Sequence, residues 1–234
     1  MPDLAPTIDG PIIKAGQSSW ANARDATSGT ASTTSRHVSA VNAIRSAGRG
    51  GSILYQVQRS FFEFDTSGIS VTPTDATLKI YGFGGINADL FVVKANFSDG
   101  ALANGDFDAI VGWSAGADNS SNVTKYRDHE VTIWSTSGYN DITLNAAALT
   151  SMTDDDVIKF CLIESTKDLP NVAMTSNATI KTGMYFQENT GTSKDPILNY
   201  TAAGYGNDIM GVASANIGKV NSLATANIEK VIGV

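Results

Sequence analysis

Strict alternation of apolar and polar residues restricts this chain more than any other feature. Leu54, Gln56, Gln58 and Ser60 interleave with Tyr55, Val57, Arg59 and Phe61, and the stretch 76–83 alternates throughout. A repeat of two residues belongs to a strand with two different faces, whereas a helix would need 3.6. Similar runs recur at 89–95, 107–112, 130–135, 140–144, 156–164, 178–187 and 196–200, separated by breaks such as Gly84-Gly85, Asp99-Gly100 and Asn104-Gly105. Only 145–149, a run of alanines behind an Asn145 cap, reads as a helical turn. Short strands in succession predict an all-β fold: an antiparallel jelly-roll β-sandwich with a short repetitive C-terminal tail.

The pattern divides the chain into three. Residues 1–50 read as a loop-rich segment with the first strands near 12–14 and 18–24, followed by a Ser/Thr/Ala/Gly tract over 27–51. Residues 51–202 form the expected sandwich, and 203–234 a tail for assembly or anchoring. In that tail, residues 209–219 run directly into a second 11-residue copy at 220–230, and a third begins at Val231. A unit this short cannot bury its apolar side chains alone, so it needs neighbours in its own or partner chains. Eleven residues would close three helical turns, but the glycines, asparagines and β-branched residues favour short extended pieces joined by turns. Ile217, Val220, Ile228 and Val231 are the expected assembly contacts.

A net charge of −7 disfavours nucleic acid, whose phosphates call for clustered Lys and Arg. The basic tract Arg36, Arg45 and Arg49 lies among Ser, Ala and Gly and reads as a solvated loop. Cys161 is the one cysteine, which excludes an intrachain disulfide; within the apolar run 157–163 it reads as a buried strand thiol. The N-terminus lacks the basic and apolar regions of a secretion signal, and no apolar run reaches membrane-spanning length. The expectation is a soluble product of a cytoplasm, with no membrane partner.

Arg59 to Ile69 follows a pattern of basic residue, apolar strand and Phe-Asp-x-Ser-x-Ile, and Asp75 to Tyr81 contains Ala-Thr-Leu-x-Ile-Tyr. Asn104-Gly105-Asp106-Phe107-Asp108 forms a polar loop, and Lys194 to Tyr200 closes on Pro-x-Leu-x-Tyr. Across roughly residues 15 to 202 these elements resemble the jelly-roll (DNRLR) domains of carbohydrate-binding modules, and the version of that domain in tailed-phage virion proteins. The tail resembles the Ala-Asn-Ile-x-Lys-Val arrays at the ends of phage structural proteins. The resemblance implies a non-enzymatic virion structural protein, foremost a capsid decoration protein, located on the virion and assembled in the host cytoplasm. Its implied partners are other virion proteins, the major capsid protein first, and its implied state a homotrimer. A second reading is a carbohydrate-binding adhesin on a tail fibre or cell surface, and a third a polysaccharide-degrading enzyme.

Candidate sites are few. His37 and His129 lie in separate polar stretches, and the carboxylates at Asp106/Asp108 and 154–156 read as solvated turns rather than a catalytic pair. Asn104, Asp106 and Asp108 offer alternating oxygen ligands for a structural calcium ion, the one cofactor considered; the competing reading is a turn closed by Asx hydrogen bonds. Trp20, Trp113, Trp134 and Tyr139 are candidate platforms for a surface glycan, against ordinary packing of large rings.

Overall fold

Two long strands organise the structure, a computed structural model that describes residues 2–86, 88–187, 191–203, 219–220 and 223–224. β5 (Ile53–Asp65) pairs along its length with β2 (Pro6–Gln17), and also with β4 (Arg36–Ala47) over 53–58 and β9 (Val157–Glu164) over 60–65. β6 (Asp75–Ile86) pairs with β11 (Ile197–Thr201) through its first half, with β8 (Tyr139–Thr143) over 77–81, and with β10 (Ala178–Tyr185) beyond that. β10 also pairs with β4 and so links the two systems. Short strands finish the edges: β1 (Asp3–Leu4) on β11, β3 (Thr30–Ala31) on β2, and β7 (Leu90–Lys94) on β9. All of these pairings are antiparallel.

Phe62, Phe64, Val92, Phe160 and Leu162 from β5, β7 and β9 meet Leu78, Ile80, Ile142 and Leu198 from β6, β8 and β11 in one buried cluster. The fold is therefore an antiparallel all-β sandwich. Each fully buried Phe or Leu contributes about 1.5–3 kcal/mol. The helix α2 (Ala146–Asp154) covers one end; the Asn145 side chain accepts the Ala148 amide, as the sequence predicts.

The other face of β5 is buried as well. Val57 and Phe61 pack with Ile12, Ala43, Val93 and Cys161 beneath the helix α1 (Trp20–Arg24) and irregular backbone carrying Phe97, Phe107, Ile110, Val123 and Leu169. Loops and one helical turn thus seal the second face in place of a further sheet. This explains why Phe61 and Phe62, which point to opposite faces, are both fully buried.

Several expectations need correction. The predicted loop tract 27–51 contains β4, whose Ser39, Ala40 and Ala43 are small because the strand is buried between β5 and β10. The strand expected at 18–24 is α1, started by Ser19 Oγ accepting the Asn22 amide. The first 50 residues therefore belong to the sandwich. Strands expected at 107–112 and 130–135 reduce to isolated bridges, Ile110 with Ala95 and Val131 with Leu90. In the tail, β12 (Lys219–Val220) pairs antiparallel with β13 (Leu223–Ala224), so Val220 lies in an extended piece. Ile217, Ile228 and Val231 lie outside the described residues.

Candidate functional site

Loop backbone that replaces a sheet brings carbonyls with no ladder partner, and leaving these buried and unpaired is costly. Two arginines supply the donors. Arg59 projects from β5 on the Phe61 face and is fully buried. Its guanidinium binds both oxygens of Asp168 at 2.7 and 2.8 Å and donates to the carbonyls of Phe107 (2.9 Å) and Arg24 (3.0 Å). Arg24 of α1, also fully buried, donates to the carbonyls of Asp168, Ala117 and Leu169 and pairs with Asp25. Burial opposes both charges: for Arg59 the facing Asp168 carboxylate overcomes it and holds the pKa above the ordinary value, whereas for Arg24 burial prevails. Glu164 closes the adjoining turn by accepting the amides of Thr166, Lys167 and Asp168. This network ties α1, the 107 loop and the 164–169 turn to β5; it is a seal rather than a binding site.

The expected platforms divide. Trp20 is 7% exposed, donates its indole N–H to Asn171, and packs edge-on against Tyr55. Trp113 lies beneath both guanidiniums, its ring centre 4.1 Å from Arg59 and 4.3 Å from Arg24. Trp20 is thus buried against its neighbours, and the Trp113 ring is occupied by the two guanidiniums. Trp134 packs partly buried against the main core and donates to the Gly183 carbonyl. Only glycine fits at Gly82 there, since a Cβ would lie 1.7 Å from the Ser135 carbonyl oxygen. Tyr139 alone stands in an open aromatic array.

The expected calcium loop is held by hydrogen bonds. Asp106 is buried and accepts from Ser98 and from the Ala103 amide, while Asn104 accepts the Ala31 amide some distance along the chain. The Asx reading therefore fits, and among the described residues no group of three or more His, Cys, Asp or Glu is arranged to hold a metal ion. Asp155 pairs with Lys94, and Asp99 with Lys159. Cys161 is fully buried, and burial pushes its thiol pKa far up.

His37 sits at the start of β4, not in a loop, and its Nδ1 accepts the Ser39 amide at 3.2 Å, with Gln58 Nε2 at 3.3 Å. Burial, reinforced by Lys181, holds its pKa below 6.5. The unfolded chain thus takes up this proton at a higher pH than the folded one does. Stability from this group is full above about pH 6.5 and declines as pH falls below it. Melting temperature is expected to drop between pH 7.5 and pH 5 by more in the native protein than in His37→Gln. Equal drops in the two proteins would show that His37 is not responsible.

An array the sequence did not single out lies on the outer face of β6. Leu78 and Ile80 point into the core, so Lys79, Tyr81 and Phe83 point outward. Tyr139 on β8 is the register partner of Tyr81, and Arg36 on β4 is the partner of Tyr185 on β10. The rings meet edge to face: Tyr81 lies 5.2 Å from Tyr139 and 5.5 Å from Tyr185, and Phe83 lies 5.3 Å from Tyr185. One residue from each of four strands thus forms a row, Tyr139, Tyr81, Tyr185 and Arg36. Its signal in the sequence was outward aromatics at alternate positions, visible within β6 but scattered over the other three strands. No protein-family model matches the chain, and a search of curated proteins finds no match.

Proposed function

We propose that this chain is a non-enzymatic virion structural protein that decorates a capsid, held there by its repeat tail. One observation supports the reading: a sealed all-β body, closed by the strand pair β11–β1, is followed in sequence by an 11-residue repeat. Of the carboxylates that might have served as acid and base, Asp106 is engaged in its loop and Asp155 with Lys94. This supports attachment over turnover. In this reading the partner is the major capsid protein and the state a homotrimer.

Mass spectrometry of purified virions should detect the chain, and antibody raised against the body should label the heads in electron micrographs. Sedimentation should give three times the 24.5 kDa chain mass. Label confined to tail fibres would replace this reading with the adhesin, and absence of the chain from virions would end it. The adhesin reading draws on a different observation, the outer aromatic row.

A further inference from the structure

The geometry points to a phosphate-binding site at Arg36, Tyr185 and Lys194, where donors from three elements converge and, among the described residues, no acceptor meets them. Arg36 begins β4 and is the register partner of Tyr185 on β10, and Lys194 closes the short turn Thr192–Lys194 ahead of β11. Arg36 Nη1 and Lys194 Nζ donate to the same atom, the Tyr185 hydroxyl oxygen, at 3.3 and 3.4 Å. Two like charges are thereby held side by side, an arrangement that is unfavourable without a counter-ion. Lys79, Lys94 and Lys159 each face a carboxylate. Among the described residues neither cation here has one, and Asp195, next in the chain to Lys194, buries its Oδ1 without a partner. In a chain of net charge −7 this is a local reversal of sign. Tyr185 is 6% exposed, and its ring supports the cations from beneath. Lys194 lies over that ring at 4.6 Å and over Tyr81 at 5.2 Å, and Arg36 lies over Phe83 at 4.7 Å. These contacts fix both long side chains in advance, which removes part of the entropic cost of ordering them around a ligand.

Counting donors identifies the ligand. The Tyr185 oxygen has two lone pairs, and the two cations occupy both. Its own proton is left to donate, and among the described residues it has no acceptor. The same holds for the remaining N–H groups of Arg36 and the remaining protons of Lys194. The hydrogen bond from Arg36, reinforced by Lys194, holds the Tyr185 pKa below its ordinary value, so the positive field at this point is not neutralised. A guanidinium, an ammonium and a hydroxyl on three elements suit an acceptor whose oxygens point apart. A carboxylate presents two oxygens in one plane, whereas a phosphate monoester presents three strong acceptors on a tetrahedron. Above its second pKa of about 6 it also carries about two negative charges, which match the two cations. The ligand class is inorganic phosphate or a phosphate monoester. The inference is independent of capsid attachment, since it uses no residue of the tail.

Titration of the full chain with inorganic phosphate at constant ionic strength, followed by NMR, tests it. Acetate, phenyl phosphate and phosphatidic acid vesicles are the other probes. Phosphate should shift the amide signals around residues 36, 185 and 194 to saturation, and should bind severalfold more tightly than acetate. Arg36→Ala and Lys194→Ala should each weaken phosphate binding about tenfold or more, as expected for loss of a charge-assisted hydrogen bond. Tyr185→Phe keeps the ring and removes only the hydroxyl, and should weaken binding severalfold with unchanged melting. Arg49→Ala, at an exposed cation on the β4–β5 turn, should leave binding unchanged. Phenyl phosphate binding as well as the free ion would support a monoester as the ligand. Sedimentation with phosphatidic acid vesicles that is lost in Arg36→Ala would support a lipid headgroup as its source. No saturable response to inorganic phosphate, equal affinity for acetate, or equal loss in Arg49→Ala would overturn the site. Particle attachment should be the same for all four variants, which separates this inference from the decoration reading.

Discussion

Asp168→Asn is expected to destabilise the sandwich by about 3–5 kcal/mol, because removing one partner of a buried ion pair leaves the other charge uncompensated. For a domain of this size that corresponds to a fall in Tm of about 6–20 °C. Asparagine keeps the shape of the side chain, so the loss would be one of charge and not of volume. Two fully buried guanidiniums would then face each other's field with Asp25 as the one directly paired carboxylate among the described residues. Arg59→Met should also be severe for a second reason: it orphans the carbonyls of Phe107 and Arg24, to which Arg59 donates. In the double variant Arg59→Met/Asp168→Asn neither charge of the pair remains, so its cost should fall short of the summed single costs by about 1 kcal/mol or more. Urea unfolding of the four proteins measures this. Asp168→Asn within 1 kcal/mol of the native protein would mean that the loops do not depend on the ion network.

The same residues show what could be read from the sequence. Period-two alternation placed β6 and β8 because their faces differ in burial, whereas β5 and β9, buried on both faces, were legible from their apolar and aromatic content. β4 escaped because four of its five buried positions, Ser39, Ala40, Asn42 and Ala43, are small or polar residues that carry the composition of a loop. Arg59 was visible as a basic residue in an apolar strand, but its partner Asp168 is 109 positions away, and no local pattern joins them. The false strands at 107–112 and 130–135 share one cause: Ile110 and Val131 are buried, yet irregular backbone delivers them. Tryptophans at loop borders suggested open platforms at Trp20 and Trp113, whereas sealing a sheet face with loops consumes large rings as walls. The aromatic row on the outer sheet face is built instead from tyrosines, each on a different strand. Only Tyr139 among them was picked out from sequence, and only as a single residue.

Deleting residues 207–234 is expected to leave the body folded and to abolish attachment to the particle. The core residues closest to the cut are Leu198, buried among β6, β8 and β11 side chains, and Tyr200, packed partly buried against the same cluster. β11 keeps its register with β6 out to Thr201 opposite Asp75, and Thr201 accepts the Thr74 amide, so the last strand is complete before the repeat begins. Melting of the truncated chain should therefore stay within about 2 °C of the full chain, since changes outside packed contacts are usually within 0.5 kcal/mol. Attachment is a different matter. Burying Ile217, Val220, Ile228 and Val231 against a partner would contribute about 1.5–3 kcal/mol each before the cost of ordering the tail. Loss of all four would take binding to background. Deletion of the second copy alone, 220–230, should reduce occupancy in a graded way, because the repeats contribute in series. Co-sedimentation with particles lacking the protein measures occupancy, and analytical ultracentrifugation measures the trimer. Full occupancy by the truncated chain would refute anchoring through the tail and shift the search for the contact to the body, first to β1 and β3, which stand at the two ends of the strand order.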